Sequence, residues 1–198
     1  ISAKSDKALY QVAQRLLDFL EAPERTEQPV SLSDIIYTLS QKRDILNIRV
    51  AFVVANLDDL IEQLADYLDE QPHPASATGT SHEKYDGINL ICTGMGPQWW
   101  RMGRQLYENN HIFRASIERC DIVFSEIAGW SVKEELLKDQ ESSRMHETQV
   151  ARPANFAIQV ALYDVLAAYG IKALSVIGHS VGEVSAAYIS GALSLEDA

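Results

Sequence analysis

Hydrophobic residues recur at helical spacing in the first part of the chain, and this pattern predicts three helices and a strand. Residues 5–21 carry apolar side chains at every third or fourth position, and Ser5 is suited to cap the start of that helix. Residues 31–42 repeat the pattern, and Asn56 is a suitable N-cap for the third helix. The β-branched run at residues 48–54 predicts a buried strand. We therefore expect a small α/β unit at this end of the chain.

A stretch rich in Pro, Ser, Thr, Gly and His interrupts the pattern at residues 71–85. It has no apolar periodicity, and such a composition does not repay the entropy that a chain loses when it becomes ordered. We therefore predict one domain at residues 1–72, a flexible connection at residues 73–86 and a second domain at residues 87–198.

The second domain begins with a strand, a turn and then helices. Apolar residues 88–92 predict the strand, and the Gly-rich segment after them predicts the turn. Helices are predicted at about residues 99–107 and 113–127. A short amphipathic helix is predicted inside the polar stretch at residues 131–147.

A long apolar helix is predicted next, with Pro153 in its first turn and Gly170 at its end. The apolar strand at residues 173–177 then leads through a Gly-rich turn into another helix. Ser194, which acidic residues follow, predicts the first turn of one more helix at the end of the printed sequence. Because the chain also lacks an initial Met, we expect it to begin and end inside a longer protein.

The composition excludes several classes of protein. The chain has 17 Lys and Arg residues against 28 Asp and Glu residues, and its net charge of −11 would repel a nucleic-acid backbone. No apolar run approaches the ~20 residues that a membrane-spanning helix needs. Cys92 and Cys120 cannot form a disulfide framework and lack metal-ligand spacing. We therefore expect no bound metal, no membrane or nucleic-acid partner, and a reducing, cytoplasmic location.

One short motif carries candidate chemistry. Gly178-x-Ser180-x-Gly182 lies between an apolar strand and an amphipathic helix, which is the context of a sharp turn that exposes a nucleophilic serine. The backbone N–H of Val181 then points to where a tetrahedral oxyanion would form. The alternative is a Gly-rich turn that contains a serine by chance, and the position between strand and helix favours the catalytic interpretation.

A serine nucleophile needs a general base, and no histidine of this chain is a convincing one. His179 is adjacent to Ser180, so that either a packing role beneath the nucleophile or a contact with substrate is open to it. We predict that the other four are solvated surface side chains: His73, His82, His111 and His146.

The residues also resemble a known family. Residues 178–183 match the GHSxGE nucleophile motif of the malonyl-CoA:acyl-carrier-protein transacylase family, in the form found in type I polyketide synthases and animal fatty acid synthases. Residues 93–103 resemble the family's opening Gly-x-Gly-x-Gln-Trp turn, and residues 152–162 resemble its Gln-Pro-Ala helix. Residues 1–72 are similar to the linker domain between ketosynthase and acyltransferase.

This resemblance implies a fold and a reaction. The fold would be α/β, a small α/β linker domain followed by a partial α/β-hydrolase-like acyltransferase core with a parallel sheet. Ser180 would take an acyl group from a coenzyme A thioester and pass it to the phosphopantetheine thiol of an acyl carrier protein. The N–H groups of Val181 and Met95 would form the oxyanion hole, His179 and Arg152 would contact substrate, and no cofactor would stay bound.

The resemblance also implies partners and gaps. Besides the acyl-CoA and the acyl carrier protein, the ketosynthase domain of the same polypeptide would be a partner, within a homodimeric synthase. Met95 and Arg152 stand where many members have Gln, and Arg152 replaces a neutral amide by a permanent cation. The family's histidine base and carboxylate-binding arginine would lie beyond Ala198, so we expect the 198 residues alone to be inactive.

Two other functions compete with this one. An α/β-hydrolase can carry the same GHSxG elbow, although Glu183 and the upstream Gly-x-Gly-Pro-Gln-Trp turn argue against that class. The segment can also serve only as a docking scaffold for neighbouring domains, without catalysis.

Overall fold

The computed structural model describes residues 1–22, 30–81 and 87–198. The chain divides into two compact units, Ile1–Lys84 and Tyr85–Ala198. His82, which the sequence predicts as a surface side chain, lies outside the described residues.

The amino-terminal unit is a three-stranded antiparallel sheet with helices. The strands lie in the order β1-β2-β3. The predicted caps at Ser5 and Asn56 are confirmed, since the side chain of each accepts a hydrogen bond from a backbone N–H of the first turn. Ser31 caps its helix in the same way. The described elements of this unit are β1 (Ser2–Ala3), α1 (Asp6–Glu21), α2 (Leu32–Gln41), β2 (Ile48–Phe52), α3 (Leu57–Leu68) and β3 (Ser76–Thr80).

The prediction of a connection without regular structure at residues 73–86 is wrong over Ser76–Thr80, which form β3. This strand pairs antiparallel with β2, from Ser76 opposite Phe52 to Thr80 opposite Ile48. It lies at the edge of the sheet and is mostly exposed. The backbone pairing with β2 therefore orders a segment whose small polar side chains show no apolar alternation.

The carboxy-terminal unit is built on two parallel strands. β4 and β5 pair with Cys92 opposite Gly178, so both strands end at the same edge of the sheet. The predicted α/β fold with a parallel sheet is confirmed. The described elements are β4 (Ile88–Cys92), α4 (Arg104–Asn109), α5 (His111–Ala128), α6 (Val132–Leu137), α7 (Thr148–Ala168), β5 (Ala173–Gly178) and α8 (Gly182–Ile189).

The core of this unit lies between α5 and α7. Small residues on α7 allow the large apolar side chains of α5 to pack closely against it. The buried members from these two helices are Phe113, Ile117, Cys120, Val150, Ala154, Ala157, Val160 and Ala161. α7 also contacts α8, the helix that follows β5, and its Gln159 side chain contacts Thr93 in the loop after β4.

Two predicted helix starts are wrong. The helix predicted at about residues 99–107 is α4, which begins only at Arg104, because Arg101 and Gly103 adopt left-handed φ angles of 72° and 75° that a helix cannot contain. Pro153 is not in the first turn of its helix, since α7 begins at Thr148. Inside the helix, Pro153 cannot donate the backbone hydrogen bond that another residue would make. The burial of Val150 and Ala151 in the turn before it offsets this loss.

Candidate active site

Ser180 lies at a sharp turn between β5 and α8. Its φ angle is +55°, in the left-handed region that a residue with a side chain rarely adopts. The N–H of Gly182 donates to the carbonyl of His179 at 2.9 Å, and that of Glu183 to the carbonyl of Ser180 at 3.0 Å. The turn is therefore closed by its own backbone, and the strain at Ser180 is typical of a functional site.

The two glycines of the motif allow the backbone to pack this closely. A methyl group on Gly178 would stand 2.3 Å from the Cα of Glu183, and one on Gly182 would stand 2.1 Å from the carbonyl oxygen of Cys92. Because these neighbours are backbone atoms, they cannot rotate away as a side chain can. The structure thus explains why the chain carries glycine on both sides of Ser180.

The loop after β4 lies directly beside this turn. The N–H of His179 donates to the carbonyl of Cys92 at 3.0 Å, which joins the ends of the two strands. A methyl group on Gly94 would stand 3.0 Å from the Cβ of Ser180 and 2.9 Å from Nδ1 of His179. The structure therefore brings together two segments that lie far apart in the sequence, the loop that carries Met95 and the turn that carries Ser180.

The two backbone donors predicted for the oxyanion hole are available for a ligand. Within the described part of the chain, neither the N–H of Val181 nor that of Met95 donates a hydrogen bond to a protein acceptor. Val181 is also the N-cap of α8, where the helix dipole favours negative charge. That both donors bind one oxyanion stays a prediction.

No candidate general base contacts Ser180 among the residues that the structure describes. The Oγ of Ser180 has no hydrogen-bond partner there, and His179 packs its ring against Gly94. His111 and His146 are exposed. His73 belongs to the amino-terminal unit, where its Nδ1 accepts a hydrogen bond from the N–H of Ala75 at 3.2 Å.

Arg152 lies on α7 and lines a cavity of about 400 Å³ together with Val181. Much of the lining is apolar, with Phe124, Phe156 and Val184 among the contributors, and Glu196 and Asp197 also reach it. Arg152 is exposed and makes no ion pair with a described residue. The structure thus places the Arg152 cation at the same cavity as one of the predicted oxyanion donors.

Gln159, a residue for which the sequence motifs predict no individual role, contacts the loop after β4. Its Nε2 donates to the carbonyl oxygen of Thr93 at 2.8 Å and to the Thr93 hydroxyl at 3.3 Å. Gln159 is within the helix motif at residues 152–162, but its partner is 66 residues away. No local pattern in the sequence points to such a contact.

Three further observations concern metals, thiols and membranes. Within residues 1–22, 30–81 and 87–198, no three His, Cys, Asp or Glu side chains are grouped so that they could hold a metal ion. Cys92 and Cys120 are buried free thiols, and burial raises the pKa of each. None of the helices described is both long and apolar enough to cross a bilayer.

Two protein-family models match the chain, and their boundaries lie close to those of the two units. A model described as "Acyl transferase domain" matches residues 90–198. A model described as "CurL-like, PKS C-terminal" matches residues 1–73.

Individual proteins match over the whole length of the chain. The highly reducing polyketide synthase sdnO of Sordaria araneosa is 37% identical over 100% of this chain, which covers 6% of that protein. The hybrid PKS-NRPS synthetase pytA of Aspergillus terreus is 34% identical over 100% of this chain, which covers 29% of it. The solved acyltransferase domain from module 8 of the salinomycin polyketide synthase superimposes with a TM-score of 0.81 at 26% identity, over 99% of this chain and 45% of the solved one. The chain therefore spans under a third of these curated relatives.

Proposed function

We propose, since this chain belongs to the acyl transferase domain family, that its carboxy-terminal unit transfers acyl groups through an ester on Ser180. The observation that carries the proposal is the left-handed backbone conformation of Ser180 at a strand-to-helix turn, with Gly94 of the loop after β4 packed beside it. Similarity to polyketide synthases over the whole chain supports the same function.

The reaction would proceed in two steps. In the first, the Oγ of Ser180 attacks the carbonyl carbon of an acyl-CoA thioester, and the C–S bond breaks to release coenzyme A. In the second, the phosphopantetheine thiol of an acyl carrier protein attacks the seryl ester, and Ser180 is regenerated. Both tetrahedral oxyanions would accept hydrogen bonds from the N–H groups of Val181 and Met95, and losing one such donor typically costs about 10²- to 10³-fold in rate.

Proton transfer needs a group beyond those that the structure describes around Ser180. A positioned base typically contributes about 10²- to 10⁴-fold to such a reaction. The proposal therefore assigns the base to another part of the longer protein, and it predicts negligible turnover by the 198 residues alone.

Arg152 is proposed as a substrate-binding residue, because its cation lines the cavity that Val181 also lines. A guanidinium there would attract an anionic part of the donor. For His179, the packing against Gly94 supports the structural role, and the proposal retains a substrate contact only as the second option.

The amino-terminal unit is proposed as the linker between ketosynthase and acyltransferase, which the family match at residues 1–73 supports. The partners would then be the ketosynthase domain of the same polypeptide and the acyl carrier protein, within a homodimeric synthase. Buried free thiols at Cys92 and Cys120 are compatible with a cytoplasmic location.

The test is acylation of the full-length polypeptide that contains this segment. The protein is mixed with malonyl-CoA or acetyl-CoA, and the mass of the peptide that contains Ser180 is measured before and after addition of an acyl carrier protein. We expect an acyl adduct that Ser180→Ala abolishes and that moves to the carrier protein. Ser190→Ala is the matched control, because Ser190 lies at the other end of α8.

The other outcomes separate the competing functions. An adduct that is lost to water at the same rate with and without the carrier protein would identify a hydrolase. No adduct at all from a folded full-length protein would leave only the docking scaffold. An adduct that survives Ser180→Ala would show that Ser180 is not the nucleophile.

A further inference from the structure

Two side-chain amides on α7 contact the two ends of the loop that follows β4. Asn155 and Gln159 are four residues apart, so they lie on the same face of the helix, one turn from each other. Gln159 donates to Thr93 at the start of the loop, at 2.8 Å. Asn155 Nδ2 lies 3.5 Å from Oε1 of Gln98, which accepts a 2.7 Å hydrogen bond from the N–H of Gly96.

We infer that Gln159 is a positioning residue for the oxyanion hole, acting through the carbonyl group of Thr93. The inference rests on the proposed function, since it assigns a task to Gln159 only if Met95 stabilises an oxyanion. It adds a residue that touches neither substrate nor nucleophile to the machinery of acyl transfer.

The chemistry of the contact determines which end of the Gln159 amide faces the loop. A backbone carbonyl oxygen only accepts hydrogen bonds, so the Nε2 donor must point to Thr93 and the Oε1 acceptor must point away. This Oε1 is buried and has no hydrogen-bond partner among the described residues. Both hydrogen bonds that hold the amide among the described residues therefore run from Nε2 to Thr93, one to its carbonyl oxygen and one to its hydroxyl.

The Thr93 carbonyl lies between Gln159 and the active-site turn. The same oxygen that accepts from Nε2 would stand 2.6 Å from a methyl group on Gly182, in the first turn of α8. Thr93 is followed at once by Gly94, whose position is set by the close approach to Ser180. Turning the Thr93 carbonyl would therefore rotate the next peptide groups, including the one that carries the Met95 N–H.

Small displacements of this loop have large kinetic consequences. A misplacement of about 1 Å in a catalytic group can cost about 10²-fold in rate. Because Gln159 positions a donor that acts on the oxyanion and does not bind the ground-state substrate, its loss should lower kcat and leave KM nearly unchanged. Loss of a residue that only stabilises the fold would lower the apparent kcat no further than the fraction of folded protein falls, which the melting temperature of the variant reports.

The experiment uses the full-length polypeptide with malonyl-CoA as the probe and measures the rate of Ser180 acylation. Gln159→Leu keeps the size of the side chain and removes the donor, and we expect kcat to fall by about 10- to 100-fold with KM within about twofold of wild type. Gln149→Leu is the matched control, since Gln149 is an exposed residue of the same helix whose side chain, among the described residues, donates only to Glu147 Oε2. It should leave both constants unchanged.

Gln159→Glu gives a second readout that a structural role would not produce. An ionised carboxylate cannot donate to the Thr93 carbonyl, whereas the neutral acid can donate through its O–H. The kcat of this variant, divided by that of wild type at the same pH, should therefore rise as the pH falls through the pKa of the introduced carboxyl. The same ratio for Gln159→Leu should stay flat.

Each outcome decides the inference. A wild-type kcat in Gln159→Leu, or a higher KM with unchanged kcat, overturns it, and so does a flat pH ratio in Gln159→Glu. If Gln159→Leu fails to fold, Gln159→Glu decides alone. Acylation that survives Ser180→Ala overturns the proposed function itself, whereas an inactive Ser180→Ala beside an unaffected Gln159→Leu overturns only the role of Gln159.

Discussion

Gly182 lies so close to Cys92 that a methyl group on Gly182 would stand 2.1 Å from the Cys92 carbonyl oxygen. The two residues belong to the first turn of α8 and the last position of β4. The approach of one backbone to the other therefore sets the distance between the Ser180 turn and the loop that carries Met95. The geometry of the candidate oxyanion hole depends on this contact.

Gly182→Ala should displace the turn and abolish acylation. Backbone atoms must move to admit the methyl group, and overpacking of this kind costs about 1–3 kcal/mol or more. The acylation assay measures the loss of activity, and the melting temperature of the variant measures the loss of stability. Gly79→Ala is the control, because a methyl group there would meet no atom within 4 Å. If Gly182→Ala were acylated at the wild-type rate, the close approach of Gly182 to the Cys92 carbonyl would be contradicted.

Ser180→Gly should be more stable than Ser180→Ala, although both lack the hydroxyl of the proposed nucleophile. The φ angle of +55° costs a residue with a side chain about 1–3 kcal/mol and costs glycine almost nothing. Glycine also has more conformational freedom in the unfolded chain, and this reduces the stability advantage of Ser180→Gly over Ser180→Ala by about 0.4–1 kcal/mol. Melting temperatures of the two variants test the expectation.

The matched pair for this comparison is at Ser190, where φ is −76° and the backbone is helical. There Ser190→Gly should be less stable than Ser190→Ala. If the melting temperature of Ser180→Gly were equal to or lower than that of Ser180→Ala, the backbone of Ser180 would carry no strain.

Features that depend on neighbours in the sequence could be predicted. The caps at Ser5 and Asn56 and the strand-turn-helix around Ser180 are local, and the structure contains all of them. The motifs within residues 93–103, 152–162 and 178–183 carried the family resemblance, and the matching family model confirms it.

Features that depend on distant partners could not be predicted. β3 is ordered by its pairing with β2, and its own side chains show no pattern that predicts a strand. The contact between Gln159 and Thr93 joins residues 66 positions apart. The left-handed Arg101, which delays the start of α4, has no sequence signal either, since arginine disfavours that conformation.

Glu135 is a buried carboxylate on α6 whose partners are two cations. Its Oε1 accepts from Lys138 Nζ at 2.8 Å and from Arg144 Nε at 3.0 Å. Burial by itself would raise the pKa of this carboxyl, but the hydrogen bonds from Arg144 and Lys138, together with their positive charges, outweigh burial and bring the pKa below the ordinary 4.5. A carboxyl with a lowered pKa stabilises the fold above its unfolded pKa and ceases to do so as the pH falls through the folded one.

Glu135→Gln should therefore destabilise α6 near neutral pH, by about 1–3 kcal/mol, because Lys138 and Arg144 lose the charged acceptor of their hydrogen bonds. Hydrogen exchange of the α6 amides in the full-length polypeptide measures the change. The difference in α6 amide exchange between Glu135→Gln and wild type should become smaller as the pH falls below 4.5. Glu134→Gln, at an exposed neighbouring position, should show no difference at either pH. If the exchange difference between Glu135→Gln and wild type did not change with pH, ionised Glu135 would not be what stabilises α6.

Cys120 should resist alkylation although it lines the same cavity as Arg152. Burial raises the pKa of its thiol from 9.0 to about 11, against the weaker opposing effect of Arg119. The thiolate is the reactive form, and two pKa units lower its fraction by about 100-fold at neutral pH. Iodoacetamide labelling of the native protein, read by mass spectrometry, should leave Cys120 unmodified, and labelling in urea should modify it fully. Rapid native labelling would show that solvent reaches the thiol and that the packing between α5 and α7 is looser than the structure has it.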